Sequence, residues 1–551
     1  MDKVKVKVLG ISCAHRRARN TTWMVLHTLK AVDKFGRRIS QAVDIETELI
    51  DLADKEKEIK PCFDCDRRCL KPDGVCPIND DYMAKELMPK IAEADAFIFG
   101  APVFTGSYTS KYIFLLERLR AGIFKGYLTN KPCGSVTTAY MPIAGQETCL
   151  QNMTMSMRTT EMLPVHWGLG APTISGPPYG PVPSDDDGAV IGVENDRLGQ
   201  WWSLLVGRRV AEIAVLQKIA KQQLGSLYNQ EFIQRYHLPH GNASWEWTSL
   251  GEQDTKYMQN LDSKGIEDLD EKIISRGGDG KGKIKCKFLG ISADNSKAAD
   301  TSWLVIHSLK AIEEFGSRVG SIASFETEFL DLGGKKMRAC LNCDHRYEIP
   351  NKGNPWKGTE MPMDFGCIIK NDYTAKEVLP RMGVSDAFIF GSTVSNLTPS
   401  GKFRLFSERC AANLWLGDVT NKPTANIAVD CTAEDGQDTC LNMMNLCNRG
   451  VEMIPVSWPH GVSATGDGKL GAVKKDEKAR FLSVYNARRV AEFTLMFKLA
   501  KQQLGELYKQ EFLQILHPPH GEAAWEWGRL DKEDEAFMKS LTPTTLAELS
   551  K

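Results

Sequence analysis

Two tandem α/β domains, each a doubly wound parallel sheet of five strands, are predicted by three observations. The chain is written twice. VKVKVLGIS at 4–12 returns as IKCKFLGIS at 284–292, and AKQQLGSLYNQEF at 220–232 returns as AKQQLGELYKQEF at 500–512, both at an offset of 280. Its 551 residues exceed what one core covers, so the repeat reads as two domains. Within each copy, short apolar runs alternate with longer amphipathic stretches, as in strand–helix–strand units.

In the first copy, strands are expected near 4–10, 46–51, 95–100, 131–138 and 162–166. Helices are expected near 20–35, 81–93, 108–121, 146–160 and 196–225. A doubly wound sheet binds ligands at the carboxyl ends of its strands, so the loops after the first, third and fourth strands are the places to look. Residues 168–195 are rich in Gly, Pro and Asp and read as a surface excursion. The stretch 265–283, with RGGDGKGK, reads as a linker between domains at 1–264 and 284–551. HLPHGNASWEW at 237–247 recurs as HPPHGEAAWEW at 517–527 and is expected to pack a tail through its Trp pair.

Charge excludes some partners. Sixty-nine basic against seventy acidic residues leave a formal charge of -1, so no field favours nucleic acid or an anionic membrane. A small molecule or another protein is the expected partner. No apolar stretch reaches the roughly 18 residues of a membrane span, and Met1 leads directly into a strand-like run, so a cytoplasmic location is expected. In a reducing compartment the fifteen cysteines point to metal or redox chemistry before disulfides.

After the first strand, GISCAHRRARNTTW at 10–23 runs into a helix, whose free amino-terminal N–H groups suit a phosphate. Arg16 and Arg19 add charge, and Asn20 and Thr21 add side-chain donors. The loop resembles the G-x-S-x-S-P-R-x-x-G-N-T stretch of the flavodoxin-like, NADPH-dependent FMN reductase superfamily. Gly10, Ser12, Arg16, Asn20 and Thr21 match, and Ala14, His15 and Arg19 depart from it. The resemblance implies flavodoxin-like domains and FMN. Two further segments carry it. In DAFIFGAPVFTGSYTSKYIFLLER at 95–118, Pro102, Val103, Phe104, Thr105 and Gly106 stand where the superfamily edges the flavin ring. In AGQETCL at 144–150, Gly145, Gln146 and Glu147 stand beside that ring.

The second copy departs at these places. Asp294 replaces Ala14, Ser296 replaces Arg16, Asp300 replaces Asn20 and Thr393 replaces Pro102. Carboxylates facing a phosphate repel it, so this copy is expected to be a structural partner without FMN.

Cys62, Cys65, Cys69 and Cys76 have the spacing C-x2-C-x3-C-x6-C after the second strand. Four thiolates in one compact loop favour an iron–sulfur centre, whereas structural zinc more often uses two separated knuckles; zinc and metal-free thiols are the alternatives. The run resembles that of the iron–sulfur flavoproteins, a branch of the same superfamily with a [4Fe-4S] cluster beside FMN, but has one extra residue before its third cysteine. The second copy offers Cys340, Cys343 and Cys367, with Tyr347 in place of Cys69 and Asp344 and His345 nearby.

The resemblance implies a flavin-dependent oxidoreductase that passes electrons between FMN and the cluster, in an anaerobe. Its redox partner is a protein such as a ferredoxin, or a small-molecule acceptor. An NAD(P)H-dependent FMN or quinone reductase without a cluster, and a non-catalytic scaffold, are the alternatives. In the iron–sulfur flavoproteins the cluster of one subunit lies close to the FMN of a neighbour, which implies a homo-oligomer.

Overall fold

A computed structural model describes residues 3–65, 68–70, 75–123, 125–181, 190–234, 249–275, 282–341, 367–415, 417–432, 436–466, 469–514 and 528–550. The tail repeats 237–247 and 517–527, the glycine-rich centre of the linker, and Cys343, Asp344, His345 and Tyr347 lie outside them.

The first half runs β1 (Val4–Ser12), α1 (Asn20–Arg38), β2 (Val43–Asp51), α2 (Met88–Glu93), β3 (Ala96–Pro102) and α3 (Ser110–Ile123). It continues through β4 (Pro132–Ala139), α4 (Gln146–Thr159), β5 (Leu163–Pro164), β6 (Ala171–Ile174) and α5 (Arg197–Leu224). The strand order is β2-β1-β3-β4-β5, all parallel, with β6 also on β4. Leu163 and Pro164 pair with Pro132 and Cys133, and Ala171–Ile174 pair with Val136–Ala139, so the fifth ribbon is built from two pieces. Here the sequence reading needs correcting: 171–174 belong to the sheet, and Ala171 is fully buried. Only hydrogen bonds to distant β4 turn this Gly- and Pro-flanked segment into a strand.

Residues alternate across the sheet as period-two geometry requires. Val6 and Val8 join the core under α1 and α5, while Leu9, Ile11, Phe97 and Phe99 join the core of the opposite face. The first layer is close: a β-carbon at Gly100 would lie 2.3 Å from Val25 Cγ2 of α1.

The second half repeats this plan with β8 (Ile284–Ala293), α6 (Asp300–Arg318), β9 (Ala323–Asp331), β10 (Ala387–Ser395) and β12 (Pro423–Asp430). It ends with α7 (Gln437–Gly450), β13 (Ile454–Pro455), β14 (Val462–Thr465) and α8 (Glu477–Leu504). Its sheet is mixed. The order β13-β12-β10-β8-β9 gains β7 (Ile273–Ser275), antiparallel to β9, and β11 (Thr398–Pro399), antiparallel to β10.

The halves share one core, in which α5 packs against α8. Their contacts are reciprocal. Ile233 N donates to Glu492 Oε1 and Leu513 N to Glu212 Oε1, both at 3.0 Å. Each tail lies on the other half: Trp303 Nε1 donates to the Met258 carbonyl at 2.8 Å, and Trp23 Nε1 to that of Met538 at 3.2 Å. Among the described residues no helix is long and apolar enough to cross a membrane.

Candidate functional site

Three loops meet at the carboxyl ends of β1, β3 and β4. The first is held from beneath by Asp51, the last residue of β2. Its Oδ2 accepts from Ala18 N at 2.8 Å and from Thr22 Oγ1 at 3.0 Å, and Thr22 Oγ1 lies 2.9 Å from Ser12 Oγ. Burial raises the Asp51 pKa, against those hydrogen bonds. The Ser12 hydroxyl therefore points into the protein, and Thr21 Oγ1 likewise meets Thr138 Oγ1 at 2.7 Å. Asn20 Oδ1 accepts from Val193 N at 3.2 Å.

The loop remains open to an anion. Arg19 occupies the N-cap of α1 without a side-chain capping bond, and the first turn holds no acidic residue. The first-turn amides and the dipole thus face the loop. Arg16 is exposed, and the buried Arg19 Nη1 has no hydrogen-bond partner among the described residues. An orphaned guanidinium nitrogen at an uncapped helix start is what a phosphate would satisfy, so these residues fit the FMN phosphate.

The second loop is a tight turn. Phe104 and Ser107 exchange backbone hydrogen bonds of 2.7 and 2.9 Å, with Thr105 at φ 48° and Gly106 at φ 76°. Left-handed backbone at both central positions belongs to the primed hairpin turn. Val103 N donates to the Thr138 carbonyl at 2.8 Å, which ties the segment after Pro102 to β4. Phe104 stays 52% exposed, with its ring edge-on to His15 at 5.1 Å, and so bridges the phosphate and ring loops.

The third loop abuts the second: a β-carbon at Gly145 (φ 96°) would lie 2.7 Å from Gly106 Cα. Gln146 braces it, accepting from Ala144 N and donating to the Met141 carbonyl, both at 2.8 Å, while Glu147 is exposed. The structure thus gathers Arg16, Arg19, Asn20, Phe104, Thr105, Gly106 and Gly145 at one end of the sheet and turns Ser12, Thr21 and Gln146 to internal bonds.

Cys62, Cys65, Cys69 and Cys76 are free, half-buried thiols. Burial pushes up the Cys69 thiol, Arg120 lowers it, and the Cys65, Cys76 and Cys62 thiols raise it further, so the four sulfurs share one field. The backbone offers the sulfurs a donor, since Asp64 N bonds Cys62 Sγ at 3.4 Å. Arg118 braces the loop through Asp81 at 2.6 and 3.1 Å and through the Lys60 and Ile78 carbonyls, both at 3.0 Å. Burial raises the Asp81 pKa, but hydrogen bonds led by Arg118 outweigh it and hold the carboxyl below its usual range. The donor set has the chemistry for a thiolate-held metal centre, although among the described residues no three ligands are already closed around a single ion.

The second half keeps the framework. Asp331 accepts from Ala298 N as Asp51 does from Ala18 N, and Arg409 binds Asp372, the Ile369 carbonyl and Cys367 Sγ. Asp51, Thr138 and the Arg118–Asp81 pair escaped sequence reasoning. The return of Asp51 as Asp331, Asp81 as Asp372 and Arg118 as Arg409 was the signal that could have found three of them.

The NADPH-dependent FMN reductase family pattern matches residues 6–170, the span that carries all three loops and the cysteines. An iron–sulfur flavoprotein of Methanocaldococcus jannaschii is 35% identical over 215 residues, which is 39% of this chain and the whole of that protein. The chain belongs to the iron–sulfur flavoprotein family. It is a flavin-dependent oxidoreductase. A second iron–sulfur flavoprotein, from Archaeoglobus fulgidus, is 28% identical over 39% of this chain and 98% of its own length. Among solved structures, a WrbA-like flavodoxin from Agrobacterium tumefaciens aligns with 38% of this chain and 97% of its own, at 11% identity and TM-score 0.25. The alignment to each iron–sulfur flavoprotein covers well under half of this chain, in keeping with its doubled length.

Proposed function

We propose that this iron–sulfur flavoprotein binds one FMN in its first half and a [4Fe-4S] cluster through Cys62, Cys65, Cys69 and Cys76, and passes electrons between them. The observation that carries the flavin site is the orphaned Arg19 nitrogen at the uncapped start of α1. Bound FMN would supply two-electron chemistry and the cluster one-electron transfer. The chain's own residues position and tune. Arg16 and Arg19 neutralise the phosphate, the 103–106 turn and Gly145 shape the ring cleft, and the Asp64 amide and Arg118 place donors beside the sulfurs.

The proposed setting is a cytoplasmic one, with a ferredoxin-like protein or a small-molecule acceptor as redox partner. We further propose pairing of two chains, because the intact cysteine loop of one chain is then met by an equally intact flavin site of the other. Protein purified without oxygen should be brown, with iron and acid-labile sulfide in equal amounts and one FMN per chain. Zinc without sulfide in folded protein would sink the cluster reading. A cluster-free quinone reductase is favoured by one feature, a cavity of about 510 Å³ beside Gly145, Gln146 and Glu147, lined also by Ile143, Tyr179 and Trp202. Rapid NAD(P)H-dependent quinone reduction by iron-free protein would establish it.

A further inference from the structure

Four arginines are buried where the two halves meet. Arg158 of α4 and Arg209 of α5 face Arg449 of α7 and Arg489 of α8, at exposures of 2, 1, 4 and 1%. Each reaches into the other half for a backbone carbonyl. Arg158 donates to Pro455 at 3.4 Å, Arg209 to Glu452 at 2.7 Å, Arg449 to Gly168 at 3.3 Å and Arg489 to Glu161 at 3.3 Å. Arg158 and Arg449 hold equivalent places in the two copies, as do Arg209 and Arg489, so the cluster has the twofold character of the seam.

Carbonyls accept hydrogen bonds but do not neutralise charge. Nearby, Arg208 and Arg488 are matched by Glu212 and Glu492. Of the seam arginines, Arg209 has the Glu452 and Glu212 carboxylates in its field and Arg489 that of Glu492, while Glu161 and Glu452 also take the hydroxyls of Thr129 and Thr420. Arg158 is furthest from balance: beyond burial, the charged groups that bear on it are Arg449 and Arg489, with no carboxylate beside them, and burial keeps the neighbouring Cys133 a neutral thiol. Arg449 feels Arg209 in the same way. His166 and His460 add no charge, because burial, then the arginines, hold His166 well below its usual pKa and His460 at about 4.

The donors also fail to balance. Nε and Nη1 of Arg158, and Nε and Nη1 of Arg209, have no hydrogen-bond partner among the described residues. A guanidinium does not shed its proton as a lysine does, and an uncompensated buried charge is among the costliest arrangements in a protein. A counter-ion repairs both deficits. We propose that the seam holds a small inorganic anion, chloride or a compact oxyanion such as phosphate, bound by the unpaired N–H groups of Arg158 in the field of Arg449 and Arg489 of the other half, and so joining the halves. This site is separate from the flavin and cysteine loops and does not depend on how they are read.

Crystals of the full chain grown in bromide should show an anomalous peak beside the Arg158 guanidinium, displaced when phosphate is added if an oxyanion is the better ligand. In solution, the melting temperature should rise saturably with chloride or phosphate at constant ionic strength, the remainder being gluconate, because a ligand of the folded state stabilises in proportion to ln(1 + [L]/Kd). Saturation by either ion supports the site and tells which it takes. Arg158→Met should abolish the saturable rise and leave the flavin content unchanged; if that variant does not fold, the wild-type measurements decide alone. Water density in place of bromide, with a melting temperature indifferent to both ions, overturns the proposal.

Discussion

Asp294 turns its carboxylate onto Thr301: Oδ2 accepts from Thr301 Oγ1 at 2.9 Å, while Oδ1 accepts from Ser296 N at 3.0 Å. The second half therefore satisfies its own anion loop with a carboxylate where the first half has Ala14. Asp300, in place of Asn20, accepts from Gly471 N at 2.8 Å.

One FMN per chain follows. Asp294→Ala alone should not create a second site, since Asp300 still repels a phosphate. Arg16→Ala combined with Asn20→Asp should release FMN from the first half. Fluorescence of released flavin against protein concentration measures both, and two FMN per wild-type chain contradicts the account.

Arg19→Met tests the orphaned nitrogen by itself. Loss of a hydrogen bond to a charged group costs about 1.5–3 kcal/mol, so FMN should bind about 10- to 100-fold more weakly at unchanged stoichiometry. Flavin titration by fluorescence quenching reads this directly, and undiminished affinity places the phosphate elsewhere.

Cys69→Ala should abolish iron and sulfide while FMN is retained, if the four thiols hold one centre. Arg118→Met leaves Asp81 buried without its partner, which costs about 3–5 kcal/mol. The cysteine loop should then lose its brace, and a lower melting temperature together with lower iron content is the expected pair of results. Normal iron with lower stability would confine Arg118 to the fold.

Acid should weaken the fold through its buried histidines, of which His27 and His307 form a matched pair. His27 stacks on Trp23 and lies 2.8 Å from Ser203 Oγ, and His307 repeats this with Trp303 and Ser483. Burial lowers each pKa to about 3, with Arg480 adding to the effect at His307. A depressed histidine pKa gives stability that is whole above the unfolded value of roughly 6.5 and is lost as pH falls from there toward the folded value. Each ring should contribute a slope of about 1.4 kcal/mol per pH unit within that window. Urea midpoints at pH 7, 6 and 5 should fall steeply in the wild type and more gently in a His27→Phe, His307→Phe chain; identical slopes would assign acid lability to other groups.

The exchanged tails predict that removing residues 528–551 destabilises the first half, not the second. Met538 caps Trp23, Arg37 bonds Asp531 at 2.9 Å, and Lys34 bonds the Arg529 carbonyl at 2.9 Å. Hydrogen exchange on the truncated chain should show α1 losing protection ahead of α6.

Repetition, strand periodicity and the three loops could be read from the sequence because each is a local pattern. An apolar run of alternating residues makes β1 whatever lies beside it, and GISCAHRRARNTTW is a loop entering a helix in any doubly wound sheet. The four cysteines, fifteen residues from first to last, were equally legible. What the sequence left open depends on groups far apart in the chain. Ser12 looks like a ligand until Thr22, itself held by Asp51, claims its hydroxyl, and 171–174 look like a surface loop until β4 supplies hydrogen bonds. The tail crossing, Met538 over Trp23 and Met258 over Trp303, and the four arginines at the seam have no local signature. They arise from packing α5 against α8, and only the tertiary structure decides which buried charges then stand together.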